Sequence, residues 1–349
     1  MTREPKLARS TPEAPGETRK EKPMPNARVI GTGHYLPEKI VTNFDLEEMM
    51  DTTDEWIRQR TGIHERRIAA DNQAASDLAI NAAKRALEDA GIDPAEIDYI
   101  ILATCSPDHF FPSTACVVQQ AIGAVNAGAL DINAACSGFV YGLELAHCLI
   151  RAEAHKTILL IGTENLTMHV DWSDRNTAVL FADGAGAALL RATEGDHCVL
   201  ATHIGADGDS KDILTVPAGG SREPVTPENI NIANRTIYMN GRELYKRAVV
   251  RFVETVEKVL QKADITGESV DLFIPHQANT RIIFSASKRI GIPDDKIFIN
   301  LDKTGNTSAA SIPIAIDQAR RSGRLKPGDV VLFAAFGAGL TWASALMRW

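Results

Sequence analysis

Cys136 sits in DINAACSGFVYGLELAHCLI, where an apolar lead-in passes through small residues straight into a helical pattern. Ala134, Ala135, Ser137 and Gly138 permit a sharp strand-to-helix turn, after which the first helical N–H groups point at the sulfur. That setting predicts a thiol whose pKa is lowered from about 8.5 toward neutrality, a nucleophile without a strong base. A lone cysteine is about as often a small buried hydrophobe, and Cys105, Cys116, Cys148 and Cys198, which lack the setting, fit that use. His276 follows the apolar run LFIP, where Pro275 is expected to stop the strand ladder and turn the imidazole toward a sheet end. Asn306 lies in the glycine-containing loop TGNTSAAS ahead of a small-residue helix. Alone, the histidine is an ordinary structural residue and the asparagine a turn former. With Cys136 they point to a cysteine-dependent enzyme.

Placing three such residues together requires a scaffold, and the chain supplies one. Short apolar runs (ARVIGTG, DYIILATC, AGALDINAA, TILLIGTE, AVLFADGAGAALLRA, VDLFIPHQ, KIFINLD, DVVLFAAFGAG and TWASALMRW) read as strands. Helical periodicity runs from Ala75 to Ala90, after Cys136, and over Met239 to Ala263, Thr280 to Ile290 and Ala309 to Ser322. The class is α/β with buried sheets. DYIILAT, the Cys136 turn and FADGAGAALL are echoed in order by DLFIP, TGNTSAASIPIAIDQA and FGAGLTWASAL. This predicts a diverged duplication, one half over 27–198 and the other over 199–349, with the Cys136 and Asn306 turns in equivalent central places.

Composition narrows the function. A chain of 349 residues with 44% hydrophobic content can bury a large core. A net charge of −8 argues against nucleic acid as the main partner. Five cysteines without a CxxC pair suit a reducing compartment, the cytoplasm, and give no metal site. No apolar run is long enough to span a membrane, and no secretory signal core is present. Residues 1–26, rich in Pro and charge, read as a disordered tail. Met24, just before the first strand, is an expected translation start, which a mass spectrum of the native protein checks.

Seven stretches spread over about Ala27 to Trp349 carry a closer likeness: DTTDEWIRQRTGIHERRIAA, FFPSTACVVQQ, NAACSGF, DRNTAVLFADGAGAALL, PHQANTRII, TGNTSAAS and FGAGLTWASAL. In that order they resemble β-ketoacyl-acyl carrier protein synthase III. The resemblance implies a thiolase-like fold with a layered αβαβα core, a homodimer, and condensation of a short acyl-CoA such as acetyl-CoA with malonyl-acyl carrier protein to start fatty acid synthesis. It implies no cofactor, acyl-CoA being a substrate. Cys136 matches the acylated nucleophile. His276 and Asn306 match the N–H donors to the enolate oxygen formed on decarboxylation, which requires a neutral imidazole and predicts an acid limb in the pH profile. The backbone N–H groups of Cys136 and of the FGAG loop, Ala338 and Gly339, match the acyl oxyanion site, with Ala338 standing where the family commonly has Gly.

The same resemblance assigns Trp56 and Arg175 to the CoA adenine, as a stacking pair, and Arg60 and Gly241 to the pantetheine and diphosphate. Arg242 departs from the family, which often has Asn there. Phe111 matches a residue that crosses the dimer interface to close the partner's acyl pocket. Arg281 matches a docking arginine for an acidic carrier protein, and Lys288 and Arg289 extend the basic face.

Other readings fit less well. A papain-like hydrolase needs a cysteine neighbourhood such as CGSCW. A thiolase needs a second cysteine in the C-terminal glycine loop, and an elongating condensing enzyme needs a histidine in place of Asn306. Synthase III relatives of specialised pathways share the fold and the cysteine and are the nearest enzymatic alternatives. A silent partner subunit has no use for all three of Cys136, His276 and Asn306.

Overall fold

Runs such as TILLIGTE and VVLFAAFG have no polar face, so each must be covered on both sides. The computed structural model, which describes residues 24–230 and 235–349, meets this by stacking two sheets with helices between and outside them. The tail expected over 1–26 lies outside the described residues as far as residue 23, and its boundary moves because the first strand already begins at Asn26.

The first sheet contains β1 (Asn26–Tyr35), β4 (Tyr99–Ala103), β5 (Gly128–Ile132), β6 (Thr157–Glu164) and β7 (Gly184–Thr193), ordered β1-β7-β6-β4-β5. The second contains β8 (Val199–Ala206), β11 (Leu272–Pro275), β12 (Val330–Gly337) and β13 (Thr341–Arg348), ordered β11-β12-β13-β8. Two-stranded pairs, β2 (Lys39–Thr42) with β3 (Glu65–Ile68) and β9 (Leu214–Thr215) with β10 (Tyr238–Met239), sit outside them.

Both sheets repeat one pattern. β4 runs parallel to β6 and β11 parallel to β12, while β6 and β12 each pair antiparallel with the strand that follows in the sheet, β7 or β13. The same order of parallel and antiparallel pairs thus recurs in both sheets, with one exception. One strand is reduced in the second copy: where β5 pairs with β4, the KIFINLD segment makes only a bridge from Ile297 to Phe273. It then enters a short helix at Leu301, so it is not the strand its apolar pattern predicts.

The helices are α1 (Asn43–Met49), α2 (Asp54–Thr61), α3 (Ala75–Ala90), α4 (Thr114–Ile122), α5 (Gly138–Arg151), α6 (Arg175–Ala178), α7 (Gly241–Ala263), α8 (Thr280–Ile290), α9 (Leu301–Thr304) and α10 (Ser311–Arg321). α3 and α4 cover the outer face of the first sheet and α7 that of the second, with α8 packed on α7. α5 and α10 lie between the sheets and are apolar on the sides they turn to both: Phe139, Leu143, Ile312 and Ile316 share one core cluster with β6 and β12. The two helices that follow the Cys136 and Asn306 turns thus form the central layer, and both turns meet at its end.

The long predicted strand AVLFADGAGAALLRA is split by this arrangement. Arg175–Ala178 is helical, and only Gly184 onward is strand. Between them Phe181 bridges to Asn306, Asn306 N–H donates to Leu180 O at 2.9 Å, and Ala182 N–H donates to Asn306 O at 3.0 Å. That segment is used to grip the Asn306 turn instead of extending the sheet.

Candidate active site

Cys136 lies in a single turn of 3₁₀ helix, Ala135–Ser137, that leads into α5. Ala135 has φ 45°, a left-handed value unusual for a residue with a side chain, and its N–H is held by Asn133 Oδ1 at 3.1 Å. The turn presses against the end of β12. A Cβ added to Gly337 would stand 2.7 Å from the Cys136 nitrogen, so only glycine leaves that N–H uncovered. Ala338 and Gly339 line a cavity of about 450 Å³ that also contains Cys136, Cys105 and Ser308.

The thiol differs from the sequence-based expectation. Burial pushes the Cys136 pKa up to about 12, with the Glu164 charge adding to the rise. The field at the start of α5 favours thiolate, but Cys136 is only 8% exposed and burial outweighs that field, so the resting group is a thiol.

His276 follows β11, and the ladder does not stop at Pro275: Pro275 is still paired with Ala334, and His276 N–H donates to Ala334 O at 2.8 Å. The ring is buried, with Nδ1 2.7 Å from Ser311 Oγ. Ser311 Oγ also accepts from Gln277 N–H at 3.4 Å, so its own hydroxyl proton is available for Nδ1, and Nε2 then carries the ring proton. Burial lowers the pKa to about 3. The imidazole is a neutral donor throughout the ordinary pH range, and the acid limb expected from its titration moves far below neutrality.

Asn306 is buried, and its Oδ1 accepts from Ser308 N–H at 2.9 Å, which commits the amide oxygen and leaves the NH₂ to the cleft. Gly305 before it has φ 65°, and a Cβ there would meet Ala182 Cβ at 2.8 Å and Arg66 Cβ at 3.0 Å. Arg66 is fully buried, bonded to Asn43 Oδ1 and to the carbonyls of Val41 and Val179, and burial lowers its pKa to about 10. It is a strut under this loop.

Cys136, His276, Asn306 and Gly337 share a cleft of about 650 Å³ whose lining also includes Trp56, Arg60, Gly241, Arg242 and Arg281. Its rim is built by α2 and α8. Thr53 Oγ1 caps α2 at Trp56 N–H, Asn279 Oδ1 caps α8 at Arg281 N–H, and Asn279 Nδ2 ties the helices together through Arg60 O at 2.9 Å. The Arg175 guanidinium lies 5.1 Å and that of Arg60 5.3 Å from the Trp56 ring centre, and the Arg281 guanidinium lies 5.6 Å from that of Tyr245. Arg242, the departure from the family pattern, also faces this cleft.

The 3-oxoacyl-[acyl-carrier-protein] synthase III family matches residues 130–208, and that family's C-terminal region matches 260–349. The β-ketoacyl-[acyl-carrier-protein] synthase III of Caldanaerobacter subterraneus subsp. tengcongensis is 53% identical over 323 residues, 93% of this chain and 98% of the relative. That of Natranaerobius thermophilus is 51% identical over 329 residues, 93% of this chain and 100% of the relative. The crystal structure of 3-oxoacyl-[acyl-carrier-protein] synthase III from Aquifex aeolicus VF5 superposes with TM-score 0.86 at 47% identity, covering 93% of this chain and all of that one.

The chain belongs to the β-ketoacyl-[acyl-carrier-protein] synthase III family. It is an acyl-transferring condensing enzyme of fatty acid initiation, and its two stacked sheets are the thiolase-like fold. Within one synthase III chain, not every matched residue joins the cleft. Phe111 is 87% exposed beside Phe110 and lines a separate apolar cavity with Met168 and Val225. Lys288 and Arg289 lie in the last turn of α8, exposed and away from the cleft lining. Cys116 and Cys148 are in helices but exposed, not buried, because each falls on the solvent side of its helix.

One residue was missed. Glu164, at the end of β6, is fully buried beside Cys105 and behind Cys136. Its signal was a lone carboxylate closing the otherwise uncharged strand TILLIGTE at the sheet edge where sites form. No helix among the described residues is long and apolar enough to cross a membrane, and no group of three or more His, Cys, Asp or Glu among them is placed to hold a metal ion.

Proposed function

We propose that this synthase III accepts a short acyl group, such as acetyl, from CoA onto Cys136 and condenses it with malonyl-acyl carrier protein. The carrying observation is that Cys136, His276 and Asn306, from three distant segments, face one cleft with Trp56, Arg60 and Gly241 in its lining. In the first step Cys136 sulfur bonds to the acyl carbon and CoA leaves as its thiol. The oxyanion sits against the N–H of Cys136, left open by Gly337, and the loop through Ala338 and Gly339. In the second, malonyl thioester loses CO₂, and the enolate oxygen is held by His276 Nε2–H and Asn306 Nδ2–H. Two such donors each contribute about 3–4 kcal/mol to the transition state. The enolate carbon then attacks the acyl-cysteine.

Trp56 and Arg175 offer an indole face and a guanidinium plane for adenine, and Arg60 and Arg242 offer charge for phosphate. Arg281 at the cleft, with Lys288 and Arg289 along the same helix, suits an acidic carrier protein. Phe110 and Phe111, exposed among Met168, Val225 and Ile230, suit a homodimer in which Phe111 closes the partner's acyl cavity. The free cysteines suit a reducing cytoplasm, and no cofactor is required.

Intact-protein mass spectrometry with a panel of acyl-CoAs tests this. Wild type should gain an acyl mass, best from the short primers, and lose it to malonyl-acyl carrier protein, while Cys136→Ala gains none. Acyl mass that malonyl-acyl carrier protein does not discharge would point to a different acceptor.

A further inference from the structure

The two side chains that face the cleft as donors for an enolate oxygen are carried by different sheets. Asn306 and the start of α10 are pressed onto the first sheet: a Cβ on Gly162 of β6 would run into Ala309 O, one on Gly186 of β7 would run into Ile314 N, and Ala309 N–H donates to Glu164 Oε1 at 3.4 Å. Further along α10 the buried Asp317 fastens the helix to β1, its Oδ1 accepting from Thr32 Oγ1 at 2.6 Å. His276 hangs instead from the second sheet, directly after β11, with its N–H on Ala334 O of β12. One oxygen bound by both donors requires the two supports to stay in register to within about 0.5 Å.

One side chain spans that gap. Ser311, the first residue of α10, places its Oγ 2.7 Å from His276 Nδ1, and this is the only hydrogen bond of the ring among the described residues. Both residues are buried. The bond has a direction. Ser311 Oγ accepts from Gln277 N–H at 3.4 Å and has no other hydrogen-bond partner among the described residues than Nδ1, so its own proton goes to the ring. Gln277 holds that backbone in place: fully buried, it donates through Nε2 to Pro275 O at 2.8 Å and Phe298 O at 3.1 Å, and its Oε1 accepts from Asn300 N–H at 3.1 Å.

We propose that Ser311 is a positioning residue for malonyl decarboxylation: its hydroxyl on Nδ1 keeps the His276 proton on Nε2 and ties the aim of that N–H to the turn that carries Asn306. The inference rests on the reading of His276 and Asn306 as donors to the enolate. A ring protonated on Nδ1 would turn a bare Nε2 lone pair toward the forming negative charge and repel it. Ser311 lines neither the cleft nor the cavity beside Cys136, so it acts through the ring alone. Acylation, which uses backbone N–H groups at the Cys136 turn, does not need it.

Ser311→Ala is the discriminating variant, and Ala309 and Ala310 show that this helix start accepts alanine. CO₂ release from malonyl-acyl carrier protein should slow by roughly 10-fold, the usual scale for removing the partner that orients a working histidine, while acyl transfer from acyl-CoA to Cys136 stays within about twofold of wild type. In a His276→Ala background the same substitution should cost nothing further, because Ser311 has no other route to the reaction. Long-range ¹H–¹⁵N spectra of histidine-labelled protein read the tautomer directly: wild type should carry the His276 proton on Nε2, and Ser311→Ala should admit the Nδ1-protonated form. Wild-type CO₂ release in Ser311→Ala would overturn the proposal, as would a further loss in the His276→Ala background, which marks mere support of the fold. Should Ser311→Ala fold poorly, the wild-type spectrum decides, since a proton on Nδ1 overturns the proposal by itself. His276→Ala releasing CO₂ like wild type would overturn the donor reading, whereas a slow His276→Ala beside a fast Ser311→Ala would overturn only the part assigned to Ser311.

Discussion

Asn133-Ala134-Ala135-Cys136 before α5 and Asn306-Thr307-Ser308-Ala309 before α10 are the same turn built twice. In each, the asparagine Oδ1 accepts the N–H two residues on, at 3.1 and 2.9 Å, and that residue has φ near 45°. What differs is the strand end facing each turn. In the second sheet β12 ends at Gly337, which leaves the Cys136 N–H open to the cleft. In the first sheet β6 ends at Glu164, whose carboxylate occupies the Ala309 N–H. One copy leaves its helix-start N–H open to the cleft, and the other satisfies its own internally while its asparagine faces that same cleft. The repeated turn thus has an open form and an internally satisfied form, set apart by one residue at a strand end.

The largest test of that division is the residue that has no counterpart. Cys136→Ser should abolish acyl-enzyme formation by mass spectrometry, since Ala309 in the twin turn offers no nucleophile. A Cys136→Ser protein that acylates like wild type would remove the division.

Next come the paired asparagines. If both only held their turns, Asn133→Ala and Asn306→Ala would behave alike, each losing about 1 kcal/mol in chemical denaturation. Asn306→Ala should in addition lose roughly 10²–10³-fold in malonyl decarboxylation, as should His276→Ala, with acylation retained better. Equal losses of both steps would mean that these residues merely support the fold.

Gly337→Ala places a methyl group 2.7 Å from the Cys136 nitrogen and should slow acylation by roughly 10²-fold while costing about 1–3 kcal/mol of stability. Stopped-flow acylation and urea melts read the two effects separately. Unchanged acylation would show that the open N–H is not used.

The pH dependence of stability gives a smaller effect. The folded pKa of His276 lies near 3 against an ordinary 6.5, so between those values the unfolded chain binds the extra proton. Stability from this group is complete above 6.5 and is lost as the pH falls toward 3, and His276→Gln should flatten that part of the melting profile. Decarboxylation should show no acid limb from His276 near pH 6. The smallest expected change is at the rim, where Trp56→Ala should raise KM for acyl-CoA by roughly 3–30-fold with little change in kcat.

Much of this was legible in the chain. All-apolar runs such as TILLIGTE have one stable use, a strand covered on both faces, and the helix over Ala75–Ala90 is bounded as its periodicity predicts because Asp77 caps the Ala74 N–H and Gly91 ends it at φ 63°. Small residues around Cys136 and glycine before Asn306 announced tight turns, since only such residues admit them. The ordered motifs then indicated the family. These are local properties: backbone conformation and burial on both faces leave their mark on residue type.

The protonation state of the site was decided elsewhere. The sequence around Cys136 predicts thiolate because it shows the helix start, but not the burial of that turn or the carboxylate brought up by a strand ending 28 residues later. His276 reads as a group titrating near neutrality until Ser311 and the surrounding core close over it. The fate of KIFINLD and AVLFADG, one reduced to a bridge to Phe273 and the other turned into a clamp on Asn306, likewise depends on partners distant in the chain. Local pattern sets which turns and strands can form; solvation and charge at a point are sums over everything packed around it, and only the tertiary structure brings those terms together.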